Sequence, residues 1–123
     1  MRLSLDAVPS SIRVGRRWAV QAAGSFGASR ETIRILELLT SELVTNSVKY
    51  GPPGGTITLE ARRQGSALRL IVSDESVQAP VVRELAFPQI GGHGLRLVES
   101  LATDWGVDVR QGDGKSVWME LTL

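Results

Sequence analysis

The sequence predicts an α/β fold: a two-layer sandwich in which a mixed, mostly antiparallel sheet carries three main helices on one face. Three observations lead there. Short alternating or apolar runs near 2–6, 56–61, 67–73, 107–110 and 116–123 read as strands. Helical spacing appears in separate blocks rather than between every pair of strands, which favours a two-layer sandwich over a doubly wound sheet. The link at 62–66, Arg-Arg-Gln-Gly-Ser, reads as a hairpin, so the strands it joins run antiparallel.

Residues 2–6 place Leu3 and Leu5 on one side and Arg2, Ser4 and Asp6 on the other. Pro9-Ser10-Ser11 offers a helix start. From Ile12 to Phe26, the residues Trp18, Ala22 and Phe26 recur at helical spacing with Ala19 beside them. Arg13, Arg16 and Arg17 form a basic stripe opposite, which reads as a solvated face or a docking edge. Ser29 can cap a second helix at about 30–50, with Glu31 favourable in its first turn. That helix is apolar around most of its circumference, so it packs on more than one side. Gly51-Pro52-Pro53-Gly54-Gly55 ends it. Ile57, Leu59 and Ala61 alternate with Thr56, Thr58 and Glu60. The run from Ala67 to Ser73 reads as a central strand with Asp74 at its tip. Residues 75–91, broken by Pro80 and Pro88, read as a long functional loop or lid. Gly91-Gly92-His93-Gly94 opens a third helix, in which Leu95, Val98, Leu101 and Trp105 share a face and which Gly106 ends. In the last run Val117, Met119, Leu121 and Leu123 point inward.

The chain of 123 residues has the size of one domain, 1–123, and 42% hydrophobic residues suffice for a core. A net charge of +1 gives no general pull toward nucleic acid or an anionic membrane. With no cysteine, disulfides and thiolate metal sites are excluded, and the composition suits a cytoplasmic setting. No apolar run approaches the ~18 residues that span a bilayer. The opening six residues are too short and too polar for a signal peptide.

Three pieces carry chemistry. Glu42 and Asn46 lie four apart and Lys49 three further on, so a helix aligns a carboxylate, a carboxamide and an ammonium along one side. Burying such groups without partners costs roughly 2–7 kcal/mol each on transfer scales, so they face a cleft or meet something polar. The Asn46 amide oxygen is a hard ligand suited to Mg²⁺. Glu42 suits the polarising of a hydroxyl aimed at a phosphate; the alternative is a buried Glu–Asn hydrogen bond or an ion pair. Asp74 either accepts from an amino group such as adenine's or caps the turn that follows. Gly92-His93-Gly94 at a helix start forms either an anion site or a simple glycine-rich cap, with His93 a phosphate contact or an exposed spacer. The stretch is neither a P-loop nor a Rossmann turn.

Taken in order, these pieces resemble the ATP-binding domain shared by gyrase and the sensor histidine kinases. Ser41-Glu42-Leu43-Val44-Thr45-Asn46-Ser47-Val48-Lys49-Tyr50-Gly51 and Gly114-Lys115-Ser116-Val117-Trp118-Met119-Glu120-Leu121 are similar to the bacterial anti-sigma factor serine/threonine-protein kinases within that superfamily. The resemblance runs from about Leu3 to Leu123. It implies a Bergerat-type sandwich that binds ATP with Mg²⁺, Asn46 holding the ion and Glu42 as catalytic carboxylate. Asp74 would read the adenine amino group. Gly92 and Gly94, with His93 between them and Leu95 behind, would flank the phosphates, and Ser116 would supply a hydroxyl near adenine. Lys49 and Tyr50 look like the histidine-kinase version of the box, with lysine on phosphate and the aromatic by the base. Implied partners are a sigma factor and an antagonist of the STAS type, and often a second copy as homodimer. An alternative is a regulatory module that keeps the fold and binds ATP weakly; a detached histidine-kinase catalytic domain fits less well. Two departures stand out. The usual Asp-x-Gly-x-Gly run is Asp74-Glu75-Ser76-Val77-Gln78, where Ser76 makes a left-handed turn less available and Glu75 adds negative charge near the nucleotide. In addition, Arg83 is the sole basic residue between 75 and 91.

Overall fold

A computed structural model describes residues 1–76, 92–110 and 114–123, with the side chains of 92–94 outside the description. Five strands, β1 (Arg2–Asp6), β2 (Thr56–Gln64), β3 (Ala67–Asp74), β4 (Asp104–Arg110) and β5 (Gly114–Thr122), form one sheet in the order β1-β2-β3-β5-β4. All four pairings among the described residues are antiparallel, in line with the mostly antiparallel sheet expected and without a parallel pair among them. The helices are α1 (Ser10–Ser25), α2 (Arg30–Tyr50) and α3 (Gly92–Leu101). None of the described helices is long and apolar enough to cross a membrane.

The core follows from the period of two in the strands. Ile57, Leu59 and Ala61 of β2, Leu68, Leu70 and Val72 of β3, and Val117, Met119 and Leu121 of β5 are all buried, and the register sets them side by side. Onto that face pack Ala19, Ala22 and Ala23 of α1, Leu36, Leu39, Leu43 and Val44 of α2, and Leu95 and Val98 of α3. On α1, Arg13 and Arg17 are exposed and Arg16 half-buried, while Trp18 and Phe26 are only partly buried. The helix approaches so closely because its buried face is made of Gly15 and alanines. A Cβ on Gly15 would lie 3.2 Å from Leu59, 3.3 Å from Val44 and 3.4 Å from Leu5.

Two boundaries differ from the sequence reading. The hairpin turn is shorter: β2 runs on to Gln64, leaving Gly65 and Ser66 as the link, with Gly65 at φ +61°. The third helix stops at Leu101, and Trp105 and Gly106 belong to β4. Gly106 is not a helix stop. It faces Trp118 across the β4–β5 pairing, and a Cβ there would sit 2.5 Å from the indole nitrogen. The glycine makes room for an indole lying on the outer face of the sheet, with the Arg69 guanidinium 4.2 Å from its ring centre.

Candidate functional site

α2 builds one wall. Its start is fixed by Ser29, whose hydroxyl accepts from the Thr32 backbone N–H at 3.1 Å, with Glu31 in the first turn. Its buried stripe runs Leu36, Leu39, Thr40, Leu43, Val44 and ends in Ser47. Glu42 and Asn46 flank that stripe, one turn apart and half-buried. Neither side chain has a hydrogen-bond or ion-pair partner among the described residues. Lys49 and Tyr50 are exposed on the last turn, which closes with the Gly51 N–H donating to the Ser47 carbonyl.

β3 builds the second wall. Its inward set, Leu68, Leu70 and Val72, continues in phase to Asp74, which reaches the helical layer with its side chain 4% exposed. Three donors meet that carboxylate. The Ser47 hydroxyl donates to Oδ2 at 2.5 Å, the Lys115 ammonium donates to the same oxygen at 2.7 Å, and the Ser76 backbone N–H donates to Oδ1 at 2.9 Å. Thus the residue beside Asn46 touches the tip of β3, and side chains 27 residues apart in the sequence meet. Bonds to an ionised acceptor are about twice as strong as neutral ones, so this cluster fixes the end of α2 against the sheet.

Lys115 and Ser47 were not singled out from the sequence, although both were legible. Lys115 stands two before Val117 and so shares its inward parity; the register pairs it with Asp74. Ser47 lies three and four residues beyond Val44 and Leu43, on the buried stripe. The same parity moves Ser116 to the other face. There its hydroxyl shares a 2.8 Å hydrogen bond with Ser73 and accepts from Arg110 at 3.0 Å. Ser116 therefore does not meet Asp74; Lys115 occupies the facing position. Glu75 also turns away, accepting from the Thr56 backbone N–H at 2.6 Å. It lines a shallow pocket of about 190 Å³ with Thr56, Thr58, Ser73, Asp74 and Arg110.

At the far end, Gly92 and Gly94 fall in the first turn of α3, and Leu95 is buried behind them. The side chain of His93, the expected lid and Arg83 lie outside the described residues. α3 packs against α2, which brings a helix start to the helix that carries Glu42 and Asn46. Among the described residues no three acidic or histidine side chains cluster as a metal site. An ion at Asn46 would take most of its ligands from water and phosphate, as Mg²⁺ commonly does. The amide oxygen of Asn46 and the carboxylate of Glu42, unpartnered among the described residues, fit such a group; the occupied carboxylate of Asp74 fits an adenine amino group less well.

Residues 5–121 match the model of the histidine kinase-like ATPase domain. Serine-protein kinase RsbW of Listeria innocua is 33% identical over 132 residues, covering 95% of this chain and 83% of that protein, and RsbW of Listeria monocytogenes matches equally. Among solved structures, the catalytic domain of histidine kinase ThkA superposes with a TM-score of 0.61 at 13% identity, over 99% of this chain and 96% of that one. The mycobacterial sensor histidine kinase MprB gives 0.58 at 14% identity, over 98% and 97%. The histidine kinase domain of a blue-light activated kinase from Erythrobacter litoralis gives 0.61 at 24% identity, over 76% of this chain; the match spans 45% of that longer protein. At these identities the structural likenesses establish the fold.

Proposed function

The chain belongs to the histidine kinase-like ATPase domain family, and from that premise we propose that it is an anti-sigma regulatory serine kinase. In this reading it binds Mg-ATP between α2, the tip of β3 and the start of α3. It then phosphorylates a serine of a small STAS-type antagonist and binds a sigma factor, working in the cytoplasm as a single domain and as a homodimer. The relatives named serine-protein kinase support the activity, and the anti-sigma resemblance supports the partners. The observation that carries the reading is the pair Glu42 and Asn46, half-buried, one turn apart and without partners among the described residues, beside a serine that touches Asp74.

Each side chain has a task that its position allows. Asn46 would hold the magnesium, which when bound neutralises charge on the phosphate oxygens. Glu42, one turn down the helix, would accept the proton of the incoming serine hydroxyl. Lys49, exposed three residues beyond Asn46, would place a positive charge beside the phosphates, and Tyr50 an aromatic face beside the base. Backbone N–H groups at Gly92 and Gly94, with His93 between them, would cradle the phosphates at a helix start. Phosphoryl transfer needs mainly positioning and charge stabilisation, which this set supplies.

Calorimetry and a transfer assay test it. Asn46→Ala should abolish Mg-ATP binding. Glu42→Ala should keep binding and lose transfer by roughly 10²–10⁴-fold, the usual worth of a general base. Unchanged transfer by the Glu42 variant would rule this mechanism out. A second reading, a regulatory module without kinase activity, is favoured by the Lys115 ammonium on Asp74 and by Ser76 in the altered glycine run. It expects binding at millimolar nucleotide at most and no transfer.

A further inference from the structure

A carboxylate offers about four acceptor positions on its two oxygens. At Asp74 three are filled, by Ser47, Lys115 and the Ser76 backbone, and the group is 4% exposed. Two of these donors are held by the fold. Ser47 sits on the buried stripe of α2, and the Ser76 N–H is backbone two residues from the acceptor. The third is the end of a flexible four-carbon chain reaching from β5. Its length lets the ammonium leave without moving the strand. No other described cation approaches this carboxylate.

We infer that Lys115 sets the base selectivity of the site: its ammonium occupies Asp74 where the amino group of adenine would donate, so adenine gains that bond only by displacing it, whereas hypoxanthine has no such bond to gain. The inference rests on the nucleotide-binding reading above and concerns how the base is read. Chemistry gives it a distinct signature. The 6-amino group of adenine is a donor and competes with Lys115 for Asp74. The 6-oxo group of hypoxanthine is an acceptor, which Asp74 repels and an ammonium welcomes. While Lys115 stays in place, the base edge meets a donor rather than an acceptor, and the advantage of adenine over hypoxanthine disappears. Phosphate and metal contacts at Asn46 and the start of α3 are common to both nucleotides and cancel in the comparison.

The test is titration calorimetry of Mg-ATP and Mg-ITP against the wild-type chain, Lys115→Thr and Lys115→Arg. The wild type should bind the two nucleotides within about threefold of each other. Lys115→Thr should tighten ATP by about tenfold or more, the worth of one charge-assisted hydrogen bond regained, and leave ITP no tighter. Lys115→Arg keeps a cation on Asp74 and should keep the wild-type ratio, which a merely structural lysine would not require. A wild type that prefers ATP to ITP by tenfold or more overturns the proposal without any variant, even if Lys115→Thr fails to fold. Tight ATP binding by wild type and Lys115→Thr alike, with one ratio, overturns it and leaves nucleotide binding standing. If no form binds either nucleotide, the nucleotide reading falls, and this proposal with it.

Discussion

Thr40 shows how closely single atoms are accounted for in this core. It is fully buried on α2, and its hydroxyl has no hydrogen-bond partner among the described residues. A buried, unsatisfied polar group costs about 1–3 kcal/mol, whereas a methyl of the same shape costs nothing of that kind. Thr40→Val should therefore stabilise the protein by roughly 1 kcal/mol in urea denaturation; a loss of stability would mean that the hydroxyl is satisfied by water. The contrast with Ser47, about two turns further along the same stripe, is instructive. Its hydroxyl meets Asp74 at 2.5 Å, so Ser47→Ala should cost about 1.5–3 kcal/mol, the range for a hydrogen bond to a charged group. At this scale the sequence identified Glu42, Asn46 and Asp74 as unusual because each is a polar group in apolar surroundings. It did not single out Lys115, because strand parity, which sets that residue opposite Asp74, was not followed back from Val117. Lys115, not Ser116, shares the phase of Val117 and Met119.

At the scale of the element, close approaches decide which helices and turns can form. α1 rests on β1, β2 and α2 through Gly15. Gly15→Leu would force a four-carbon side chain between Leu5, Val44 and Leu59, and overpacking of that kind costs about 1–3 kcal/mol. The expected result is a lower urea midpoint with unchanged helix content by circular dichroism. Gly114 poses a stricter demand. It has φ +102°, and a Cβ there would overlap the Asp74 carbonyl oxygen and crowd the Glu75 backbone. Gly114→Ala should push the start of β5 off β3, carry Lys115 away from Asp74 and destabilise by roughly 1–3 kcal/mol. The element boundaries were legible where a cap chemistry marked them, as Ser29 marks α2. They were not legible at the end of α3. There Trp105 continues the helical spacing of Leu95, Val98 and Leu101, yet Trp105 pairs with Met119 and lies in β4. Only the neighbouring strand reveals that Gly106 serves Trp118.

For the whole molecule, the hairpin β2–β3 could be read from its local turn, but the pairing of β3 with β5 could not. It joins segments separated by the stretch 75–113, and nothing local specifies it. What specifies it is burial on one face: Leu68, Leu70 and Val72 oppose Leu121, Met119 and Val117, and a one-residue slip of β5 would turn all three of its residues outward. The same slip would take Lys115 from Asp74, so core and site depend on one register. This arrangement places β3 and β5 inside the sheet and leaves β1 and β4 as its edges. The alternation of β3 is fully buried on one side, while β1 buries no residue completely. Native-state hydrogen exchange should follow that order. Amides of residues 68–73 and 117–121 should open only with global unfolding, whereas the unpaired edges of β1 and β4 should exchange on the order of a hundredfold faster. Mg-ATP at a hundred times its dissociation constant should slow the globally opening amides by about a hundredfold, because a ligand bound only to the native state adds about 2.7 kcal/mol to its stability. Slowing confined to the edge strands would place the ligand away from the junction of α2 and β3, and equal rates for centre and edge would mean that the sheet does not open in this order.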